Sequence, residues 1–450
     1  MNVVIVGAGY VGLTTGLALA YLGHRVSLVE RDEARLALLR ARKSPIHEHG
    51  LEEFLQVLDL TLCPSAAEAV GEAEVVLIAV GTPAMGNGKA DTGFVEEAAR
   101  EVAQGLKPGG TYTLVVKSTV PLGTNRRVSN VVGRVLKQRQ VEVTVHFAAN
   151  PEFLREALAL RDTLYPDRVV VGAEHPQAVD ALRLLYQPIL EQTFEPPAFL
   201  PRPEGFRLPP LITTDATSAE MIKYAANAFL AAKISFINEV AGLCERVGAD
   251  VTEVARGIGL DPRIGHRLLG AGIGWGGSCF PKDTAAILAV AAEYGEPMTL
   301  ISAAREVNFA QRRRAVDRLQ ATLKVLRGQV IAVLGLAFKP DTDDVRESPA
   351  LDIIRLLIER GAHVRAHDPV AIPAAQRALA IQEVEFLSSP YAAAEGTDAL
   401  VIATDWEEYR RLDLERLAAG MRQPILLDGR NLIKPYDARL AGFTYLGIGR

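Results

Sequence analysis

The chain has 450 residues, 49% hydrophobic and 23% charged, and its 49 basic and 54 acidic side chains give a formal net charge of −5. This composition excludes a mostly disordered or collagen-like chain, and the small negative charge gives no indication of nucleic-acid binding. Three cysteines exclude a disulfide scaffold. No apolar run approaches the ~20 residues of a membrane span and no basic leader precedes the first strand, so we expect a cytoplasmic protein.

Strand and helix patterns alternate along the first third of the chain. Apolar runs predict strands at 2–6, 24–30, 74–80, 112–117 and 141–149, and an apolar helical pattern covers 13–22. This alternation is typical of a parallel sheet with helices on both faces. The proline-rich segment 191–210 cannot form a regular helix or a central strand, so we interpret it as an irregular linker out of the first domain.

A long helix is predicted next, because residues 217–241 contain neither proline nor glycine. Its apolar positions nearly encircle it, which favours burial on several sides in a spine or a dimer surface. Strands at 329–335, 363–368, 400–404 and 424–428, with a helix at 348–360, predict a second α/β part. We therefore predict an α/β fold with two Rossmann-like doubly wound domains, joined by a long central helix and a helical middle domain, over residues 1–200, 211–310 and 325–450.

The first strand runs into the motif GAGYVG, Gly7–Gly12. In a turn that leads from a strand into a helix, Gly7 permits the tight turn, Gly9 lets a pyrophosphate approach the backbone, and Gly12 lets helix and strand pack closely. The N–H groups at the helix start then bind the phosphates. Glu30 ends the second predicted strand, where a carboxylate accepts the ribose hydroxyls and repels a 2′-phosphate. The pattern predicts NAD rather than NADP as the cofactor.

A second glycine-rich segment, GAGIGWGGSCFPKD at 270–283, has five glycines in its first eight positions. Glycines at this density let a backbone wrap closely around a ligand. Pro281 suits the first turn of a helix, so Cys279 is predicted just before a helix N-terminus, where the dipole and Lys282 favour a thiolate. A buried inert cysteine is the alternative, and it is our interpretation of Cys63 and Cys244.

Two pairs of polar side chains are further candidates. Lys223 and Asn227 are four residues apart on the long predicted helix and share one face. The turn NPEFLRE at 150–156 is predicted to place Glu152 and Glu156 on one helical face, either as a solvated surface or as acid/base and water-holding groups.

Two other polar groups receive a structural interpretation. His47 and His49 flank Glu48 without matching ligands elsewhere, so a loop is favoured over a metal site. The basic run 312–314 is interpreted as a solvated helix face.

Six strings in this order carry a resemblance: GAGYVG, KSTVPLGT, NPEFLREA, SAEMIKYAANAFLA, GWGGSCFPKD and GLAFKPDTDDVRESPA. Together they resemble the UDP-glucose/GDP-mannose dehydrogenase family over about the whole chain. GAGYVG is common to many families, whereas GGSCFPKD and FKPDTDDVRES are highly specific. The resemblance implies an enzyme that oxidises the primary alcohol of a nucleotide sugar to an acid with two NAD per sugar, through a thiohemiacetal and a thioester on a cysteine.

The resemblance also implies catalytic roles. Cys279 matches the nucleophile, Lys223 and Asn227 the groups beside the reacting oxygen, and Asp283 the aspartate that helps to activate water. Thr119 and Glu156 match water-holding residues, and Glu152 matches the acid/base of thioester hydrolysis.

Ligand contacts are implied in the same way, with no metal among them. The first domain would bind NAD, the central domain would dimerise and carry catalytic residues, and the third would bind the UDP sugar. Arg263 matches an arginine that reaches the sugar nucleotide of the neighbouring subunit in a homodimer. The implied NAD contacts are Gly7, Gly9, Tyr10, Val11, Gly12, Glu30, Arg35, Thr82, Thr119, Glu156 and Arg346. The implied substrate contacts are Glu152, Phe153, Leu154, Lys223, Asn227, Arg263, Gly276, Lys339 and Arg430.

Several alternatives stay open. The CFPKD string and Trp275 favour UDP-glucose by resemblance, but GDP-mannose and UDP-N-acetylhexosamines remain possible substrates. A two-electron dehydrogenase of the 6-phosphogluconate or hydroxyacyl kind needs neither the cysteine nor a second nucleotide domain. A catalytically dead nucleotide-sugar sensor would not need Cys279, Lys223 and Asp283 intact. Counting NADH per substrate discriminates among these functions.

Overall fold

The computed structural model describes residues 1–380 and 383–450, which form two compact units, Met1–Ala225 and Ala226–Arg450. The strands of the first unit are β1 (Asn2–Val6), β2 (Arg25–Val29), β3 (Thr61–Cys63), β4 (Val75–Ile78), β5 (Thr111–Val116), β6 (Thr144–Ala149), β7 (Val169–Ala173) and β8 (Leu211–Thr214). Its helices are α1 (Tyr10–Tyr21), α2 (Glu33–Arg40), α3 (Leu51–Val57), α4 (Ala66–Ala69), α5 (Gly93–Gly105), α6 (Thr124–Arg139), α7 (Ala159–Leu164) and α8 (Pro176–Glu191), with a 3-10 turn at Val70–Glu72.

The first sheet has the strand order β3-β2-β1-β4-β5-β6-β7-β8, and every neighbouring pair is parallel except β6 with β7. Helices cover both faces of the sheet, so alternate residues of β1 belong to separate hydrophobic cores. Val3 and Ile5 pack with α1, whereas Val4 and Val6 pack with α5 and α6. Burial on both faces explains why this strand is apolar at consecutive positions.

The predicted linker at 191–210 is irregular, but it does not leave the first domain. It leads into β8, which pairs with β7 in the first sheet. Its aromatic side chains hold it against that unit: Phe194 and Phe206 pack edge-on or tilted against Tyr165, and Phe199 packs on Phe54. The return of the chain to the same sheet depends on tertiary contacts, so the proline content of the segment could not predict it.

Helix α9 (Ala216–Val247) crosses the boundary between the units. The other helices of the second unit are α10 (Val251–Gly259), α11 (Phe280–Glu293), α12 (Thr299–Leu323), α13 (Pro349–Glu359), α14 (Ile372–Leu379), α15 (Pro390–Ala394), α16 (Glu407–Arg410), α17 (Leu414–Gly420) and α18 (Pro435–Leu440). Its strands are β9 (Val330–Leu334), β10 (His363–His367), β11 (Val384–Phe386), β12 (Ala399–Ile402), β13 (Ile425–Asp428) and β14 (Thr444–Gly447), in the parallel order β11-β10-β9-β12-β13-β14.

Two Rossmann-type sheets and a long central helix confirm the predicted fold class. The expectation that α9 is buried on several sides, in a spine or a dimer surface, stays a prediction for one side, which the single chain leaves exposed. Phe229, Phe236 and Leu243 lie seven residues apart and are 68%, 53% and 62% exposed. Among residues 1–380 and 383–450, no helix combines the length and apolarity that a membrane crossing requires.

Candidate active site

The turn after β1 has the geometry of a phosphate-binding turn. Gly7 has a φ of +103°, and its N–H donates to the carbonyl of Val29 at 2.9 Å. A Cβ on Gly12 would lie 1.8 Å from the Gly7 oxygen, so only glycine permits this approach, while the space beside Gly9 is open. Among the described residues, none accepts a hydrogen bond from the N–H of Ala8 or Gly9. These donors are available to an anion.

Glu30 and Arg35 lie beside this turn. The carboxylate of Glu30 is 3.5 Å from the Arg35 guanidinium, which also donates to the carbonyl of Ala8 at 2.8 Å. Tyr10 and Val11 form the first residues of α1. The predicted cofactor residues at this end of the first sheet are therefore close together.

A buried ion pair joins Glu152 to Lys223 within the first unit. The Lys223 Nζ lies 2.8 Å from Glu152 Oε1, and the two residues are 3% and 6% exposed, respectively. The hydroxyl of Thr119 donates to the same oxygen at 3.3 Å, and Thr82 donates to the carbonyl of Thr119 at 2.8 Å. The Leu154 N–H donates to Glu152 Oε2 at 2.6 Å, so both carboxylate oxygens are held.

Glu152 is ionised at neutral pH. Burial alone would raise the pKa of Glu152, but the charge and hydrogen bond of Lys223 outweigh it, together with the Leu154 N–H and the charge of Lys117. The net effect is a pKa below the usual range. Phe153 lies beneath two cations, with Arg168 3.7 Å and Lys223 5.5 Å from its ring centre.

The prediction that Glu152 and Glu156 share a helical face is wrong. Residues 151–158 form no helix, and α7 begins only at Ala159. Ala157 has a φ of +66°, which interrupts any helix there, and Glu152 uses its carboxylate to fold the backbone back at Leu154. Local propensity could not reveal this, because the fold of the segment depends on the buried Glu152.

Lys117 is a buried cation that the sequence reasoning missed. It follows β5 and is 7% exposed, and its Nζ donates to the side chain of Asn150 at 3.1 Å. Tyr186 donates to the same Asn150 oxygen at 2.6 Å. The available signal was a lysine directly after an apolar strand run, where burial is expected.

In the second unit, Cys279 is the N-cap residue of α11, with Pro281 in the first turn, as predicted. Its Sγ lies 3.4 Å from the Ser278 hydroxyl. One turn into the helix, Asp283 is 1% exposed, and its two oxygens accept from Lys282 at 2.5 Å and from Asn227 at 2.6 Å. Lys282 is therefore paired with Asp283, which reduces its effect on the thiol.

The glycines of the loop before Cys279 are required by close backbone approaches. A Cβ on Gly276 would lie 2.2 Å from the Glu347 oxygen. Gly277 has a φ of +88°, and a Cβ there would lie 2.6 Å from the Phe338 ring. Ligand contact at these glycines stays a prediction, but their packing against the loop that contains Phe338 and Lys339 is sufficient to exclude side chains.

A buried polar clamp on α12 fixes this loop. Asn308 accepts from the Trp275 N–H at 2.7 Å and donates to the Trp275 carbonyl at 3.0 Å, and Arg312 donates to that carbonyl at 3.0 Å. Asn308 is 0% and Arg312 2% exposed. The interpretation of 312–314 as a solvated face is therefore wrong for Arg312. Its helix packs on the loop and on Asp352, with which Arg312 forms an ion pair.

Arg430 holds the loop from another side. Its guanidinium donates to the carbonyls of Gly274 at 2.9 Å and Ala403 at 2.8 Å. Its Nη2 is buried and has no hydrogen-bond partner among the described residues. Burial lowers the pKa of Arg430, which remains cationic, so an anionic ligand group would satisfy this nitrogen.

Other predicted ligand residues have partners within their own loops. Arg346 is paired with Asp344 at 2.6 Å. The Nζ of Lys339 lies 5.5 Å from the centre of the Phe338 ring. Arg263 lies in a loop with 88% of its side chain exposed and is paired with Asp261. Arg263 thus extends from the surface and belongs to neither buried cluster described above.

Three family models match the chain. The NAD binding domain of the UDP-glucose/GDP-mannose dehydrogenase family matches residues 1–190, the central domain residues 217–310, and the UDP binding domain residues 332–435. The chain therefore belongs to the UDP-glucose/GDP-mannose dehydrogenase family, which confirms the resemblance seen in its motifs. It is a dehydrogenase with an NAD-binding and a UDP-binding domain.

Two relatives are similar over the full chain. UDP-glucose 6-dehydrogenase TuaD of Bacillus subtilis is 44% identical, covering 100% of this chain and 93% of the relative. A UDP-glucose 6-dehydrogenase of Pseudomonas aeruginosa is 43% identical, covering 100% and 98%. Among solved structures, a UDP-glucose dehydrogenase from Pyrobaculum islandicum has a TM-score of 0.87 at 39% identity, covering 100% of this chain and 97% of that one.

The residues present fit NAD. The turn offers uncommitted N–H groups at Ala8 and Gly9 with open space beside Gly9, and α1 begins at Tyr10 with its N-terminus at the turn. Glu30 is in position to accept hydrogen bonds from ribose hydroxyls.

Proposed function

We propose that the chain oxidises UDP-glucose to UDP-glucuronate with two NAD per sugar. The single observation that carries the proposal is that Lys223 and Asn227 lie one turn apart on α9, one bound to Glu152 and the other to Asp283. Each of the two donors thus holds a buried carboxylate of its own unit. The relatives named as UDP-glucose 6-dehydrogenases, at 42–44% identity over the full chain, support UDP-glucose as the substrate.

In this proposal the first unit holds NAD through Gly7, Gly9, Gly12, Glu30 and Arg35. The remaining contacts are Tyr10, Val11, Thr82, Thr119, Glu156 and Arg346. When bound, NAD supplies the acceptor for the hydride released in each of the two oxidations. The residues of the chain bind and orient NAD and the sugar nucleotide, and they move the protons.

The first oxidation converts the primary alcohol to an aldehyde, and a base takes the hydroxyl proton directly or through water. Lys223 and Asn227 donate hydrogen bonds to the reacting oxygen and stabilise its developing negative charge. The Cys279 sulfur then forms a bond to the aldehyde carbon, and the oxygen gains a proton, which gives a thiohemiacetal. The second oxidation removes the hydrogen from that carbon as hydride and the hydroxyl proton, leaving a thioester.

Hydrolysis completes the cycle. Water adds to the thioester carbon, the carbon–sulfur bond breaks, and the acid leaves as Cys279 recovers its thiol. Glu152 is ionised and buried beside Thr119, so it can accept a proton from that water. Asp283 helps to activate the water, and Thr119 and Glu156 hold it.

The substrate is held by Phe153, Leu154, Gly276, Lys339 and Arg430 in addition to the reacting groups. The unsatisfied Nη2 of Arg430 supports an anionic ligand at the second unit. We further propose the functional division into an NAD domain at 1–200, a central dimerisation and catalytic domain at 211–310, and a UDP-sugar domain at 325–450. Free cysteines at 63, 244 and 279 suit a reducing cytoplasm.

We also propose a homodimer through α9. The exposed stripe Phe229, Phe236 and Leu243 is apolar along four turns, and a symmetric copy of the same helix is a self-complementary cover for it. The exposed Arg263 then reaches the sugar nucleotide of the neighbouring subunit, where its guanidinium can bond polar groups bidentately.

Subunit mixing tests the shared site. Arg263→Ala should raise the KM for the sugar nucleotide and leave NAD affinity nearly unchanged. A mixture of the Arg263→Ala protein with the inactive Cys279→Ala protein should recover activity. In the mixed dimer, the site that keeps Cys279 receives an intact arginine from the partner subunit. Failure to recover after verified exchange, or a monomeric active protein on sedimentation, contradicts the shared site.

The proposed activity is tested with purified protein, NAD and a panel of UDP- and GDP-sugars. We expect UDP-glucose to give the highest kcat/KM and two NADH per sugar. One NADH per substrate would support a two-electron dehydrogenase instead, and preference for GDP-mannose or a UDP-N-acetylhexosamine would overturn the substrate assignment.

A further inference from the structure

The second unit repeats the internal geometry of the phosphate-binding turn. In the first unit, Gly7 has a φ of +103° and donates to the Val29 carbonyl at 2.9 Å. In the second, Gly335 has a φ of +94° and donates to the His367 carbonyl at 2.8 Å. Each glycine follows the third-placed strand of its sheet order, β1 or β9. The turn residues Ala8 and Gly9 thus correspond to Leu336 and Ala337.

The acidic residues after β2 and β10 also correspond, but they bond differently. Asp368 Oδ2 accepts from the N–H of Leu336 at 2.7 Å and of Ala337 at 3.1 Å. The same oxygen accepts from the Trp406 indole at 3.1 Å, and Asp368 is 2% exposed. The other oxygen accepts from the N–H groups of Val370 and Ala371, at 3.0 and 2.8 Å. Five donors fix this carboxylate against the turn.

In the first unit, the carboxylate of Glu30 does not cover the turn. It accepts from the N–H of Asp32 at 3.0 Å and leaves the turn donors of Ala8 and Gly9 uncovered. A helix also begins directly after the first turn, at Tyr10, whereas the next helix in the second unit begins only at Pro349. The second turn therefore lacks both the uncommitted donors and the helix N-terminus that favour a pyrophosphate.

We propose that Asp368 occupies the donors which a pyrophosphate would use, so that the second unit rejects dinucleotides and binds its ligand outside this turn. A pyrophosphate could bind at the turn only by displacing a carboxylate that five N–H groups hold. If the carboxylate stayed in place, the negative charge of the pyrophosphate would lie beside the negative charge of Asp368. The exclusion of a dinucleotide stands on these contacts alone. That the ligand accepted instead is a UDP sugar rests on the proposed function.

Amide spectra of the full chain labelled with 15N-alanine and 15N-leucine test the proposal. Ala8 and Ala337 are a matched pair, because one lies in each turn. Titration with NAD should move the Ala8 resonance and leave Leu336 and Ala337 in place, and inorganic pyrophosphate should do the same. A shift of Ala337 as large as that of Ala8 with either probe would overturn the proposal.

Variants provide an independent arm. Asp368→Ala should accelerate hydrogen exchange at Leu336 and Ala337 at least about tenfold, since a charged hydrogen-bond acceptor is lost. The matched Glu30→Ala should leave exchange at Ala8 nearly unchanged. In Asp368→Ala, pyrophosphate should now move the Ala337 resonance, and failure to do so would overturn the proposal.

If Asp368→Ala does not fold, Asp368→Asn is measured instead. It keeps one acceptor oxygen, which can serve either the two turn amides or the amides of Val370 and Ala371, so exchange should accelerate either at Leu336 and Ala337 together or at Ala371. Unchanged exchange at all three labelled amides would contradict the assignment. None of these readouts uses turnover, so a failed UDP-glucose assay leaves them intact and the two proposals are separable.

Discussion

The ammonium of Lys223 lies 2.8 Å from the carboxylate of Glu152, and both groups are almost completely removed from water. Removing one partner leaves the other charge buried without compensation, which costs about 3–5 kcal/mol in comparable pairs. We therefore expect Lys223→Met to lower the free energy of urea unfolding by an amount of this order. The double variant Lys223→Met/Glu152→Gln should recover most of it, and a double variant as unstable as the single one would contradict the pairing.

The same pair makes stability depend on pH. The folded-state pKa of Glu152 lies below its usual range, so between the folded and unfolded pKa values the unfolded state binds more protons. The stabilisation is complete above the unfolded pKa and is lost as pH falls through the folded pKa. Urea unfolding of wild type and Glu152→Gln from pH 7 downward should show a stability difference that shrinks only in acid. A difference independent of pH would contradict this assignment.

Cys279 should be indispensable for acid formation. Cys279→Ala should abolish it and retain binding of the nucleotide sugar, because the thiol is the proposed nucleophile and not a binding group. Cys279→Ser should accumulate an ester detectable by mass spectrometry, since an alkoxide leaves less readily than a thiolate. Cys63→Ala is the matched control and should keep its turnover. Unchanged turnover in Cys279→Ala would exclude the covalent mechanism.

Cofactor choice should depend on Glu30. Its carboxylate repels the 2′-phosphate of NADP and accepts the ribose hydroxyls of NAD. Glu30→Ser should raise the KM for NAD at least about tenfold, the size expected for a lost charged hydrogen bond, and relax the preference against NADP. Glu33→Ser, exposed in the next helix, serves as the control. Wild-type protein that uses NADP as well as NAD would show this interpretation to be wrong.

The clamp on Trp275 should affect chemistry without affecting NAD. Asn308→Ala leaves the Trp275 N–H without its acceptor, at a cost of about 1–3 kcal/mol in stability. Because the loop that ends at Cys279 then loses a fixed position, kcat should fall, whereas NAD affinity measured by fluorescence titration should not change. Arg313→Ala, exposed on the same helix, should match wild type. An Asn308→Ala variant with normal kcat and normal stability would show that the clamp does not position the loop that ends at Cys279.

The sequence by itself determined much of this protein. Apolar runs marked most strands of both sheets, because burial on two faces requires continuous apolarity. The glycine turn with Glu30 identified the dinucleotide unit, and Pro281 fixed the helix start beside Cys279, because proline and glycine act on their own backbone. Each of these patterns lies within one short segment of the sequence, so the segment alone is enough to predict its local structure.

The tertiary structure decided the rest. Return of the 191–210 segment to the first sheet and burial of Lys117 and Arg312 depend on groups far away in sequence. The loss of helix around Glu156 depends on Glu152, which is buried against the distant Lys223. Glu30 and Asp368 occupy equivalent positions after a strand, yet one leaves its turn uncovered and the other covers it. Residue type alone does not separate them, because a carboxylate bonds to whichever donors the packing brings within reach.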